Sequence, residues 1–211
     1  MTNLLVITPL LNAVTQIQQE HPIPIKGSKE FRFLASTYNR MYSINEAHKE
    51  KLIYEARHDQ LTGLYNRYGY EELLKTIDTE SIALLLIDVD KFKTINDTYG
   101  HDVGDNVMAH VADVIKGVFL QEAYICRIGG DEFAIIIIQE DSISKEIISE
   151  RIKRINESLS NTPKDFPPTS ISVGVAFGND PDSTGDLFKD ADIALYRAKE
   201  NGRHDCVFYE V

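Results

Sequence analysis

The stretch from Ser81 to Asp90 constrains this chain more than any other. From Ile82 to Ile87 every residue is apolar, and Asp88-Val89-Asp90 closes the run. Side chains of a strand alternate between two faces, so an unbroken apolar run has to be covered on both sides. A one-sided sheet is thereby excluded, and the chain supplies the covering layers. Helical periodicity marks Tyr68–Ile77, about Asp105 to Phe119, Ser144–Leu159 and Ser183–Asn201. Strand patterns mark Tyr124–Ile128, Glu132–Ile138, Ser170–Phe177 and Cys206–Tyr209, the first two joined by a hairpin at Gly129-Gly130. The connection Asn161–Pro168 holds three prolines and reads as a surface loop. The expected fold is α/β, an α+β sandwich whose central, mostly antiparallel sheet is flanked by helices.

The 211 residues carry 43% hydrophobic side chains, enough for a core of useful size. The formal charge of −11 argues against a nucleic-acid or anionic-membrane binder, since either partner repels the average surface. A phosphate ligand is still compatible, because a metal ion and a few Lys or Arg side chains make a site locally positive. No apolar run of membrane-spanning length occurs; Leu4–Ile7 is too short, and the polar Thr2-Asn3 start is unlike a secretory signal. Cys126 and Cys206 lie in apolar stretches without metal-ligand spacing and read as reduced core thiols, an expectation that goes with the cytoplasm.

Residues 1–58 have a different texture. Helical patterns flank His21–Gly27, whose two prolines make it an extended connector. Ser28 is positioned to cap a second helix in which Phe31, Leu34, Tyr38 and Met41 alternate by three and four, a seam for a partner helix. The pattern weakens at Asn45 and His48 and resumes at Leu52. With Glu30, Phe31, Leu34, Ala35, Tyr38, Asn39 and Met41 at its centre, the segment from Ile7 to about Ile44 resembles a HAMP signalling module; a plain dimerising stalk is the other reading. The expected organisation is a HAMP-like segment over 1–45, a connecting helix over 46–58 and one domain over 59–211. A HAMP resemblance implies the cytosolic part of an inner-membrane receptor, with a membrane reached only through a receptor portion outside this sequence.

Two carboxylates at the end of a buried strand are costly unless something compensates them. Asp131 and Glu132 stand at the tip of the hairpin, and adjacent central strands would bring them to the same sheet edge as Asp88. Converging carboxylates are hard oxygen ligands suited to magnesium shared with nucleotide phosphates. Gly129 and Gly130 permit a tight turn and a close ligand approach. Lys93 follows the acidic strand end within reach of a phosphate, and Lys199 with Arg203 could face one anion if their helix persists. Asn96 and Asp105 offer the donors and acceptors that a guanine edge requires.

These residues fall within recognisable blocks. Arg127–Phe133 matches the signature of GGDEF domains. Asp59–Arg67 is similar to that family's opening motif, and Ile87–Asp97, running on through Gly100-His101 to Gly104-Asp105, to its second block. Ser172–Ala176, and Ala191-Asp192 with Ala194–Lys199 and Gly202-Arg203, resemble its closing blocks. The resemblance covers Asp59 to the C-terminus and implies a ferredoxin-like, nucleotidyl-cyclase palm. It implies a diguanylate cyclase that condenses two GTP into cyclic di-GMP and two pyrophosphates. Asp88, the Val89 carbonyl and Asp131 would hold Mg2+, with Mn2+ as an alternative. Asp131 and Glu132 would be the catalytic acids. Asn96 and Asp105 would read guanine, and Lys93, Lys199 and Arg203 would hold phosphates beside Gly129 and Gly130. One domain holds one GTP, so the reaction implies a homodimer, here through the N-terminal helices.

Two departures qualify the resemblance. The family's Arg-x-x-Asp product-inhibition site falls on Leu120 and Ala123, so that brake is expected to be absent. No Glu-x-Leu phosphodiesterase block follows, so product hydrolysis is not expected. Three rivals stay open at this level: a GGDEF domain that binds GTP without turnover, a cyclase using ATP or mixed substrates, and a structural dimerisation module.

Overall fold

The computed structural model describes residues 22–119, 123–138, 144–161 and 166–210. The chain divides into two compact units, Met1–Tyr54 and Glu55–Val211.

In the first unit, residues 22–28 are non-helical and helix α1 begins at Lys29, running to Arg57. The Phe31 N–H donates to Ser28 Oγ at 3.2 Å, so Ser28 caps the helix as expected. The connector is tied to α1 by Asn39, which accepts from the Ile23 N–H and donates to the Ile23 carbonyl, each at 2.8 Å. No glycine or proline interrupts residues 29–57, and α1 continues through Asn45 and His48 where the apolar pattern fades. Phe31 (43%), Leu34 (61%), Met41 (65%) and Leu52 (65%) remain exposed along it. Among the described residues, Phe31, Leu34 and Met41 of the seam stay exposed. The first of the two helices expected for a HAMP-like segment falls outside the described residues.

The second unit is built on a five-stranded sheet, in the order β2-β3-β1-β4-β5. The strands are β1 (Ile82–Val89), β2 (Ala123–Arg127), β3 (Glu132–Ile138), β4 (Ile171–Phe177) and β5 (Cys206–Phe208). The central β1 is antiparallel to β3 and to β4, β2 is antiparallel to β3, and only β4–β5 is parallel. The sheet is mostly antiparallel, as the sequence predicts.

Successive residues of β1 feed two separate cores. Ala83, Leu85, Ile87 and Val89 join the core shared with helices α4 (His101–Phe119) and α5 (Lys145–Ser160). Ile82, Leu84 and Leu86 join the core of helices α2 (Arg67–Thr76) and α6 (Leu187–Glu200). Each such Leu or Ile contributes about 1.5–3 kcal/mol on burial, which is why the run tolerates no polar residue before Asp88. On β4, Gly174 lets α6 come close: a Cβ there would lie 2.1 Å from Leu195 N and 2.2 Å from Ala191 O.

Element boundaries differ from expectation where glycines and caps decide them. A separate helix α3 (Phe92–Tyr99) precedes α4, and Gly100, at φ +88°, divides the two. The helix expected from Ser183 starts at Leu187. Ser183 and Thr184 instead bond to the fully buried Asp190 carboxylate, at 2.6 Å from each hydroxyl and 3.0 Å from the Thr184 N–H. Both cysteines are free, and burial pushes each thiol up to about 12, so neither is a reactive thiolate.

Candidate active site

Register decides where the acids meet. Because β1 and β3 are neighbours, Asp88 pairs with Glu132 across the ladder, and the Val89 N–H donates to the Asp131 carbonyl at 3.0 Å. Asp88, Val89, Asp131 and Glu132 thus occupy one edge of the sheet, as the sequence predicts. The two glycines between β2 and β3 act differently from expectation. Neither has a positive φ, so the turn does not need their conformational freedom. Gly129 provides room: a Cβ there would lie 2.5 Å from Glu132 Oε2, while around Gly130 the space is open. Glu132 itself is exposed and Asp131 half-buried.

A brace beneath the hairpin was not foreseen. Arg127 donates to the Gly130 carbonyl through Nη2 at 2.7 Å and Nε at 3.3 Å, and through Nη1 to both Asp59 oxygens at 3.1 and 3.3 Å. Asp59 also accepts from Thr62 N–H at 2.9 Å and Thr62 Oγ1 at 2.7 Å. The backbone of Tyr65 pairs with β2 through Ile125 and Arg127. The opening motif is therefore a strut that holds the signature turn. Asp59 and Arg127 appear in the sequence only as letters of separate motifs, and nothing local pairs residues so far apart.

The two aspartates of the strand end part company. Asp90 is buried and accepts from Ser172 Oγ (2.7 Å), Ser170 Oγ (2.6 Å) and the His204 N–H (3.2 Å). Its carboxylate ties β4 and the loop before β5 to β1 through these three bonds. Asp88 is free for chemistry except for one partner, Lys199 Nζ, at 2.6 Å from Oδ2. Burial raises the pKa of Asp88 and outweighs the lowering by Lys199; the charges of Asp131 and Asp90 push the same way. A half-buried carboxylate in this state calls for a cation. Asp88, the Val89 carbonyl and Asp131 are hard oxygen donors, the ligand type that suits a divalent cation such as magnesium. Among the described residues no cluster of three or more His, Cys, Asp or Glu side chains could hold a metal, so a metal here would rest on two carboxylates and a carbonyl.

The remaining predicted residues fall into two groups. Asn96 on α3 packs against Gly104 on α4, the residue before Asp105, where a Cβ would lie 1.9 Å from Asn96 Oδ1. That oxygen is buried with no hydrogen-bond partner, while Asp105 and Lys93 are exposed. Lys199 and Arg203 do not share a helix face. Helix α6 stops at Glu200, the Arg203 N–H closes onto the Ala198 carbonyl, and Gly202, Arg203 and His204 all have positive φ. Arg203 instead lines a cavity of about 530 Å³ with Asp90, Lys91, Thr94, Tyr99 and His204.

Comparisons with known proteins agree with this geometry. The family model described as diguanylate cyclase, GGDEF domain, matches residues 56–205. The chain is similar to a Shewanella oneidensis protein named cyclic di-GMP phosphodiesterase PdeB, 33% identical over 77% of this chain and 19% of that protein. It is similar to the biofilm architecture maintenance protein MbaA of Vibrio cholerae, 29% identical over 97% of this chain and 28% of that protein. The chain therefore spans well under a third of the length of these two relatives. Among solved structures, the coiled coil and GGDEF domain of DgcB from Caulobacter crescentus, in complex with c-di-GMP, superposes with a TM-score of 0.74 at 29% identity. That likeness covers 86% of this chain and all of the other.

Proposed function

Since the chain belongs to the GGDEF-domain diguanylate cyclase family, we propose that it condenses two GTP molecules into cyclic di-GMP, each of two facing domains holding one GTP. One observation carries the reading: the Asp88–Glu132 register pair, which gathers Asp88, Asp131 and Glu132 at one sheet edge beside Lys199. Asn96 reads the guanine edge through its side-chain amide, and Asp105 accepts two further base hydrogens. Arg203, with Lys93, binds the phosphates, the cavity beside Asp90 admitting the polyphosphate tail. Asp88, Asp131 and the Val89 carbonyl hold Mg2+, or Mn2+ in its place. Held there, a metal would lower the pKa of the attacking 3′-hydroxyl and offset charge on the phosphoryl group. Glu132 is exposed at the edge that meets the second domain, where it can take the hydroxyl proton. Pyrophosphate leaves, and the second bond forms by the same exchange of roles.

The exposed seam of α1 supports homodimerisation through the N-terminal helices, arranged as a HAMP-like segment that sets how often the half-sites meet. Among the described residues no helix is long and apolar enough to cross a membrane. The catalytic domain acts in the cytoplasm, where GTP is available, and a receptor portion would be the route to any membrane. With Leu120 and Ala123 at the product-inhibition positions, cyclic di-GMP does not inhibit through that site.

A second reading is that the domain binds GTP without turnover and serves a neighbouring activity; the likeness to a protein named a phosphodiesterase favours it. One assay separates the two. Purified protein is incubated with GTP and magnesium, products are resolved by chromatography, and Asp131→Ala is run beside it. Cyclic di-GMP is expected from the wild type alone. Its absence at every protein concentration refutes the cyclase reading.

A further inference from the structure

We propose that Lys199 is a stand-in cation that occupies Asp88 until metal and nucleotide arrive together, and then moves to the phosphates. The proposal rests on the reading above, in which Asp88 holds the metal. Lys199 Nζ lies 2.6 Å from Asp88 Oδ2, at the place where a metal bound to that oxygen would be. The ammonium and a divalent ion cannot share the oxygen without close repulsion in a partly buried site, so one has to leave.

The surroundings make this exchange one-way in its dependence on nucleotide. Asp90, the other carboxylate of the strand end, already accepts from Ser170, Ser172 and the His204 N–H and is buried, which makes it a poorer partner for the displaced ammonium. Asp131 is in the set the metal itself would use. A lysine released by metal alone would therefore exchange its close, partly buried partner for solvent or the exposed Glu132, where screening weakens the attraction, so metal alone is opposed. When GTP enters with the metal, its phosphates supply the new partner. The lysine can make the move: it sits in the last turn of α6, its side chain is 31% exposed, and its four-carbon stem is flexible. Arg203 is not equivalent, because it bonds to neither site carboxylate and already lines the cavity beside Asp90. The structure thus gives the two cations different duties: Arg203 waits for phosphate, while Lys199 couples phosphate binding to metal binding.

The test measures metal binding without turnover. Free Mn2+ is followed by electron paramagnetic resonance at pH 8, well above the ordinary carboxylate range, with and without 3′-deoxy-GTP, which cannot form the ring. In the wild type, 3′-deoxy-GTP should raise Mn2+ affinity about tenfold or more, and Mn2+ should raise nucleotide affinity by the same factor. Lys199→Met and Lys199→Gln should each bind Mn2+ about tenfold more tightly than the wild type without nucleotide, and the nucleotide should then add a smaller factor than it adds in the wild type, its phosphates still being metal ligands. Unchanged or weaker Mn2+ binding by both folded variants overturns the proposal, as does a wild type whose metal and nucleotide affinities are independent. Asp88→Asn separates this from the underlying reading. If that variant binds Mn2+ with 3′-deoxy-GTP as tightly as the wild type, Asp88 is not a metal ligand and the metal assignment fails, whatever Lys199 does.

Discussion

Asn96 can lie where it does only because Gly104 has no side chain. A Cβ at Gly104 would meet the end of a flexible amide, so Gly104→Ala should cost little stability yet move the group that would read guanine. The expected outcome is a KM for GTP raised by about tenfold with kcat changed much less, measured by steady-state kinetics. An unchanged KM would remove Asn96 from the guanine site. At Asp59, burial opposes ionisation, but the bonds from Thr62 and Arg127 outweigh it and hold the carboxyl below its ordinary value. A lowered pKa means stability that is present above the unfolded-state value and lost as pH falls through the folded one. Asp59→Asn should therefore destabilise by about 1–3 kcal/mol at neutral pH. In urea unfolding, the gap from the wild type should close as pH drops below about 3.9. A gap that is constant with pH would show that Asp59 acts through shape and not charge.

At the scale of elements, the site is a meeting of strand ends with the last turn of one helix. The distance of α6 from β4 is set at Gly174, where any Cβ would collide with backbone atoms that cannot rotate away. Gly174→Ala should cost about 1–3 kcal/mol and lower the thermal midpoint by several degrees. Because α6 carries Lys199, activity below the transition should fall further than stability accounts for; calorimetry beside the cyclase assay checks both. The strands were legible in the sequence because an apolar run announces burial on both faces wherever it lies. Helix α3 was not: the sequence marks a helix only from about Asp105, whereas Gly100, at positive φ, ends α3 and α4 starts at the next residue. The brace from Asp59 to Arg127 left no local trace, because it joins motifs on different elements.

At the scale of the molecule, the proposed condensation gives each domain half of a reaction. The rate should rise with the square of protein concentration while dimers are scarce and become linear once they saturate. The double variant Leu34→Glu, Met41→Glu places charge on the exposed seam of α1. It should lower specific activity by about tenfold or more at low concentration and recover at high concentration. Sedimentation should show the same shift toward monomer. A variant that loses activity yet remains dimeric would take the seam out of the control of turnover.

The acidic motifs, the buried central strand, the hairpin and the α/β layering were all determined by the amino-acid order, because each is written in short-range periodicity or in residue types at fixed spacing. The duties of individual charges were not. Asp88 and Asp90 look alike in sequence, yet one faces Lys199 and the other is spent on Ser170, Ser172 and His204. Lys199 and Arg203 look like a helical pair, yet the helix ends between them. Those differences depend on which strands become neighbours and where a helix terminates. Both are settled by burying the two cores together, and no local spacing records the result.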